Sequence, residues 1–368
     1  MQPTKPRVVI GMSGGVDSSV AAYLLKEQGY EVIGMTMKVW LTSCISQAED
    51  SCCGPSAIAD ARAVAHTIGI PHYVIDESPD FEKTVIDYFS AEYRAGRTPN
   101  PCVICNEKVK FGNLWDKAHA LGAQFLATGH YALLEHHEGR ALLHKGADAR
   151  KDQSYFLFSL SQEQLGRTLL PLGAMSKPEI REIARQIGLK VADKADSQEI
   201  CFVPGDDYKA FLRQRLGEAE FHRGGIYDTS GKRLADHDGI ELFTIGQRKG
   251  LPGGSAKPLY VIDIDPATSR VIVGGQEDLF TEECTIERCN WLDGEPEAPF
   301  AANVKIRSAH PGVDAIITPL GKGCARVGFH VAQRAVTPGQ AAVCYAGNRV
   351  LGGGWIARRS LPAEPTKS

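Results

Sequence analysis

Two kinds of residue in this chain could do chemistry: a loop of glycines and serines near its start, and cysteines set far apart. The loop reads Gly11-Met12-Ser13-Gly14-Gly15-Val16-Asp17-Ser18-Ser19, between an apolar run at 7–12 and a stretch of helical periodicity at 17–28. Glycines there let the backbone approach an anion closely. The N–H groups of a helix start, with the hydroxyls of Ser13, Ser18 and Ser19, suit phosphate oxygens. The lysine that closes a Gly-Lys-Ser/Thr nucleotide loop is missing, and G-x-G-x-x-G is not matched either. Two glycines alone would equally suit an ordinary strand-to-helix turn.

The chain has ten cysteines. Cys102 and Cys105 form a C-x-x-C within Asn100-Pro101-Cys102-Val103-Ile104-Cys105-Asn106, just before a helix predicted at 108–121. That position puts Cys105 near the first turn, where the helix dipole favours a thiolate. Cys201 stands alone in Asp196-Ser197-Gln198-Glu199-Ile200-Cys201-Phe202. Brought together, two such cysteines could pass a sulfur atom: one carries a persulfide, the other attacks it and forms a disulfide. Two other readings stay open. Free cysteines often serve as small buried hydrophobes, although the polar neighbours here oppose deep burial. Alternatively, Cys102, Cys105 and Cys201 supply three thiolates for an iron–sulfur cluster with an open position. Cys44, Cys52 and Cys53 crowd a polar loop and make only a weak zinc motif, while Cys284, Cys289, Cys324 and Cys344 read as packing residues. His130, in Thr128-Gly129-His130-Tyr131, directly follows a predicted strand, where a parallel sheet places its ligand contacts; a satisfied core histidine is the alternative. His136 and His137 read as surface residues of a hairpin.

The elements that must position these groups change character along the chain. Up to about residue 195, strands at 7–12, 31–37, 72–75 and 124–127 alternate with helices at 17–28, 57–68, 81–93 and 108–121. Such alternation predicts an α/β fold, a parallel sheet covered by helices, with ligands at the C-terminal strand ends. From about 206 the helices nearly disappear. Short strands at 259–264, 270–273, 303–307 and 339–345 are separated by turn residues, which predicts small β domains, one of them a barrel. The expected domains are therefore 1–205, a β-rich central 206–275, a C-terminal β-barrel 276–362 and a tail 363–368.

With 368 residues, 43% hydrophobic and 23% charged, the chain is neither disordered, collagen-like nor a stapled miniprotein. The apolar run 8–12 is broken by Ser13-Gly14-Gly15 and Asp17 before it could form a signal peptide, and no stretch suits a membrane span. A cytoplasmic chain whose cysteines remain thiols is expected. The net charge of −3 argues against a basic nucleic-acid binder until it is divided. Residues 301–368 carry 9 Lys+Arg against 2 Asp+Glu, leaving 32 against 42 for residues 1–300. Lys305, Arg307, Arg326 and Arg334 are thus candidates for a phosphate-backbone footprint.

The string Ser13-Gly14-Gly15-Val16-Asp17-Ser18 resembles the PP-loop of ATP pyrophosphatases, which split ATP between the α and β phosphates. With AEYRAGRTPNPCVICN, VKFG, ATGHYA, KDQSYFL, DSQEICF, TIGQRKGL, AVTPGQAAV and LGGG in this order, the chain resembles the bacterial tRNA-specific 2-thiouridylases over essentially its whole length. That resemblance implies ATP-dependent replacement of O2 by sulfur on the wobble uridine of tRNAs for lysine, glutamate and glutamine. It implies ATP on Gly11, Met12, Ser13, Gly14, Gly15, Val16, Asp17 and Ser18, with Met37 and Gly129 also touching the nucleotide. Mg²⁺ would accompany ATP, and Asp17 is a candidate to help hold it. By the same resemblance Cys105 is the nucleophile and Cys201 receives the persulfide sulfur. Asn100, Pro101 and Cys102 face the target base, and His130, Lys151, Asp152, Gln153, Arg307, Ser308 and Gln340 touch tRNA. The partners implied are the tRNA anticodon arm and a persulfide donor or relay protein, with the chain acting as a monomer. Some members carry Asp in place of Cys102, which leaves that residue either a cluster ligand or a bystander. Two rivals share part of the pattern. An amide- or argininosuccinate-synthetase type of PP-loop enzyme has no use for the distant cysteines or a basic β tail. A non-catalytic RNA-binding relative has no use for an intact loop and both cysteines.

Overall fold

The computed structural model describes residues 5–39, 54–195, 200–253 and 257–358. Cys44, Cys52, Cys53, the 196–199 part of the Cys201 motif and the tail at 363–368 lie outside them. The chain divides into two compact units: residues 1–88, 101–211 and 347–350 form one, and 89–100, 212–346 and 351–368 the other.

The first unit contains β1 (Arg7–Gly11), α1 (Val16–Glu27), β2 (Glu31–Lys38), α2 (Pro55–Ile68), β3 (His72–Asp76), β4 (Phe125–Ala127), β5 (Ala132–His137), β6 (Arg140–Lys145) and β7 (Thr168–Leu169). In β1 the successive residues Val8, Val9 and Ile10 are all fully buried, as an unbroken apolar run must be in a central strand covered on both faces. Five strands pair in parallel in the order β3-β2-β1-β4-β7. Val8 and Ile10 share one core with Val20 and Leu25 of α1, Ala61 and Val64 of α2, and Ile180 and Ala184 of the helix Lys177–Gln186. Strand order reverses at β1, since β2 and β3 extend to one side and β4 and β7 to the other. The crevice beyond the C-terminal ends of β1 and β4 is therefore a topological switch point, where open α/β sheets bind ligands.

The second unit holds β8 (Gly224–Asp228), β9 (Arg233–His237), β10 (Tyr260–Asp265) and β11 (Arg270–Gly274) in a four-stranded sheet of order β10-β11-β8-β9. It also holds β12 (Phe280–Trp291), β13 (Phe300–Lys305), β14 (Val313–Gly321), β15 (Cys324–Arg334), β16 (Ala341–Ala346) and most of β17 (Arg349–Ile356). These six run in the order β12-β15-β14-β13-β16-β17, and β17 pairs back onto β12 through Ile286↔Ile356 and Glu287↔Trp355. Closure removes the sheet edges. Alternation fills the barrel: Ala315 and Ile317 of β14 point into a core with Val304, Val327 and Cys344, while Ile316 is exposed, as the two-residue strand period requires. The α/β class and the barrel expected from the sequence are both present.

Three local expectations differ. A helix, Tyr208–Leu216, lies where helices were expected nearly to disappear; the Asp207 carboxylate accepts the N–H groups of Lys209 and Ala210 and caps its start. The helix expected from 108 begins at Pro101 instead, because a proline at the first helical position gives up only an N–H that would have no intrahelical partner. The strand expected over 303–307 ends at Lys305, leaving Arg307 and Ser308 in an exposed turn. Among the described residues, no helix is long and apolar enough to cross a membrane.

Candidate functional site

The loop after β1 is held by its own serines and by β2. Met12 N–H donates to Met35 O at 2.8 Å, and Thr36 Oγ1 donates to Met12 O at 2.7 Å while lying 2.8 Å from His72 Nε2. Beyond Met12 the chain turns through Gly14 at φ 70°, and a Cβ there would sit 2.2 Å from Ala57 O. Ser18 Oγ accepts Ser13 N–H at 3.2 Å, and Ser19 Oγ donates to Gly15 O at 2.7 Å. Gly15 is the N-cap of α1 and offers no side chain to its first-turn N–H groups. Those groups are left to face whatever anion fills the loop.

The second wall comes from the turn after β4. Pairing of Ile10 with Ala127 brings Gly129 against the first turn of α1, where a Cβ would lie 2.8 Å from Ser18 N. Tyr131, two residues on, donates its O–H to Asp17 Oδ1 at 2.6 Å. Lys177 Nζ lies 2.8 Å from each Asp17 oxygen. Lys194 Nζ reaches Gly14 O at 3.3 Å and Asp60 Oδ2 at 2.6 Å. Sequence reasoning missed Tyr131, Lys177 and Lys194. Each lies more than a hundred residues from the loop, and the one local signal, the Ser176–Glu179 capping box, marks a helix start rather than a ligand. Lys177 and Tyr131 thus both hold the Asp17 carboxylate in this state.

Cys102 lies in the first turn of the 101–120 helix and is exposed, whereas Cys105 falls one turn further in and is partly buried. The dipole argument therefore applies to Cys102 rather than to Cys105. Cys105 opens a nine-residue π-helical stretch, Cys105–Asn113, and such widened turns are frequent at functional sites. Gln164 Nε2 donates to the Glu107 and Phe111 carbonyls of this stretch, and Asn106, buried, donates to Phe156 O at 3.0 Å. These contacts fix the backbone that carries Cys105. Cys201 is exposed in a turn. Among the described residues, no three His, Cys, Asp or Glu side chains gather closely enough to hold a metal ion. Cys102, Cys105 and Cys201 therefore do not assemble a three-thiolate site in this state. In the barrel, burial pushes the Cys289 thiol up to about 12 and raises that of Cys344 as well, which suits packing and not thiolate chemistry.

Several residues expected at tRNA hold backbone. The Asp152 carboxylate accepts Gly146 and Ser154 N–H, and Gln153 Oε1 accepts Tyr131 N–H at 3.0 Å. Gln340 Nε2 donates to Thr98 O at 3.2 Å and Pro99 O at 2.9 Å, just ahead of buried Asn100. Met37 and Lys151 are half-buried, while Arg307, Ser308, Arg326 and Arg334 are exposed. His130 is buried, with Nδ1 2.7 Å from Thr128 Oγ1 and its ring near Phe111.

Burial, with Lys110 nearby, holds the His130 pKa well below its ordinary value. Because the folded pKa lies below the unfolded value of about 6.5, stability is complete above that pH and falls as the pH drops through it, by at most about 1.4 kcal/mol per pH unit for this group. Burial lowers His72, His237 and His310 in the same direction. Denaturant unfolding should therefore show stability declining from pH 7 to pH 5, and His130→Asn should flatten that slope.

Residues 6–205 match the tRNA methyl transferase HUP domain, 209–275 the tRNA methyl transferase PRC-barrel domain and 281–356 the aminomethyltransferase beta-barrel domain. The chain is 48% identical over 96% of its length to all of a tRNA-specific 2-thiouridylase MnmA 2 of Clostridium botulinum. It is 51% identical, over 96% of its length and 98% of the relative, to a tRNA-specific 2-thiouridylase MnmA 1 of Caldanaerobacter subterraneus. Among solved structures, an NMN synthetase from Francisella tularensis aligns over 53% of this chain and 67% of its own, at 18% identity and a TM-score of 0.33, too distant to bear on function.

Proposed function

The chain belongs to the family of tRNA-specific 2-thiouridylases, and from that premise we propose that it replaces O2 of the wobble uridine in tRNA by sulfur, at the expense of ATP. The observation that carries the reading is the serine- and glycine-rich loop at the switch point of a parallel sheet, in a chain that such enzymes match over 96% of its length. We read the three matched stretches as a catalytic, a central and a tRNA-contacting domain.

ATP lies along the loop, its phosphates facing the first-turn N–H groups of α1 and the Ser13 and Ser18 hydroxyls. Met37 and Gly129 border the nucleotide. The uridine leaves the anticodon stack and enters beside Asn100 and Cys105. Its O2 attacks the α phosphate, forming the O–P bond as pyrophosphate departs, so that a poor leaving oxygen becomes adenylate. A divalent cation, Mg²⁺ in this reading, neutralises the departing phosphates when it is bound.

Cys201 carries the sulfur as a persulfide loaded by a donor or relay protein. Its terminal sulfur bonds to C2 and AMP leaves with the former O2. Cys105 then attacks the Cys201 sulfur, closing a Cys105–Cys201 disulfide and releasing the thiocarbonyl. If Cys105 attacks first, hydrosulfide is freed and adds to C2 instead. Both routes yield 2-thiouridine, AMP, pyrophosphate and one disulfide, which an external thiol reduces before the next turnover. The exposed arginines of the C-terminal segment contact the tRNA backbone.

The test is nucleoside mass spectrometry of tRNA incubated with the chain, ATP and a persulfide donor. The reading expects 2-thiouridine, in step with pyrophosphate release. Pyrophosphate without 2-thiouridine would favour another PP-loop pyrophosphatase; tRNA binding with neither would leave a non-catalytic RNA-binding relative.

A further inference from the structure

The loop after β1 lacks the lysine that ends a Gly-Lys-Ser/Thr nucleotide loop, yet a lysine from elsewhere in the chain is aimed at it. Lys177 is a buried cation whose Nζ is 2.8 Å from both oxygens of Asp17, 160 residues away. Its backbone is pinned: Lys177 N–H donates to Asp148 Oδ2 at 3.1 Å, and that bond is the largest cause holding the Asp148 carboxyl below its ordinary range. The Ser176–Glu179 capping box and Pro178 fix the helix start around it. Tyr131 completes the cluster, with its O–H on Asp17 Oδ1 and its ring 5.9 Å from Nζ. Asp17 stands in the first turn of α1, the turn to which the proposed function assigns the ATP phosphates. A carboxylate there repels a polyphosphate unless a cation lies between them.

We propose that Lys177 is a further residue of the nucleotide site, resting on Asp17 in the empty loop and turning its ammonium onto the phosphate oxygens when a nucleoside triphosphate binds. The idea rests on the reading that this loop binds ATP. Asp17 and the polyphosphate compete for one ammonium, so the lysine missing from the loop is supplied by tertiary structure. When Lys177 turns, the Asp17 carboxylate is left to the divalent cation that accompanies the nucleotide.

The test measures equilibrium binding of ATP and of adenosine to the full-length chain, in EDTA, for wild type, Lys177→Gln, Lys177→Arg and Asp17→Asn. Loss of a charge-assisted phosphate contact should weaken ATP binding about 10- to 100-fold in Lys177→Gln, with adenosine changed less than about twofold. Lys177→Arg should recover most of the loss. Asp17→Asn should bind ATP as tightly as wild type or tighter in EDTA, because it removes both the competitor for Lys177 and the repulsion. Parallel loss of ATP and adenosine in Lys177→Gln would mean that the residue only supports the fold, and unchanged ATP binding would mean that it never meets the phosphates; either result overturns the proposal. Weaker ATP binding by Asp17→Asn in EDTA overturns it as well. If Lys177→Gln does not fold, Lys177→Met, which keeps the buried stem and removes the charge, takes its place with the same expected and overturning results. A wild-type chain that fails to bind ATP refutes the nucleotide reading itself, a result distinct from any of these.

Discussion

Cys201→Ser is expected to lower 2-thiouridine formation by roughly 10³-fold or more while leaving ATP and tRNA binding within about twofold, because a serine hydroxyl cannot carry a sulfane sulfur. Pyrophosphate release should persist, since adenylation precedes sulfur transfer. Cys105→Ser should show a comparable loss. Cys102→Ser should remain within about threefold of wild type, since Cys102 is exposed, forms no three-thiolate site in this state, and neither carries nor releases the sulfur in the proposed steps. Nucleoside mass spectrometry and pyrophosphate assays on the same tRNA read all three variants. Normal 2-thiouridine from Cys201→Ser would sink the assignment of the sulfur carrier. A Cys102→Ser defect as deep as that of Cys105→Ser would mean that the two thiols of the C-x-x-C act together.

Gly14→Ala should have the second-largest effect. An alanine there must hold φ 70° and place its Cβ 2.2 Å from Ala57 O. The backbone strain alone is worth about 1–2 kcal/mol, and relieving the overlap requires the loop or α2 to move by about 1 Å. Misplacement of that size at a binding site costs on the order of 10²-fold. ATP affinity should therefore fall by about that factor, and calorimetric titration measures it directly. Gly139→Ala is the control. Gly139 also has positive φ, 78°, but nothing lies within 4 Å of its added Cβ, so it should lower stability slightly and leave ATP binding alone. Equal loss of affinity in both variants would show that general destabilisation, and not the loop, was being measured.

The elements that carry the candidate site were largely legible in the sequence. Gly14 and Gly15 beside Ser13 and Ser18, after an apolar strand, predict a loop that opens a helix, and the structure has that loop between β1 and α1. The apolar runs and helical periodicities up to about residue 195 found each strand of the parallel sheet except the two-residue β7, which is too short to show a period. The C-x-x-C pointed to sulfur chemistry as an expectation, but its helix was misplaced: Pro101 starts the helix about two turns earlier than the periodicity implied, and Cys105 opens a π-helical stretch. Nothing in a residue pattern announces a widened turn whose carbonyls are satisfied by Gln164, more than fifty residues away.

The division between sequence and structure follows from range. By itself the sequence determined the chemical inventory: a loop of glycines and serines, two distant thiols, and a C-terminal segment whose surplus of positive charge the near-neutral total concealed. Those properties depend on residue type and near neighbours. Only the tertiary structure decided which groups share a site. Strand order alone sets Gly129 against α1, and packing alone closes Lys177 and Tyr131 onto Asp17. It also set Gln340 to hold the backbone of Thr98 and Pro99 ahead of Asn100, a role that no reading of Gln340 as a surface contact would assign. Such contacts join residues more than a hundred positions apart, and they form because burying apolar faces fixes the sheet order; neither the spacing nor the identity of the partners is written in any local stretch of the chain.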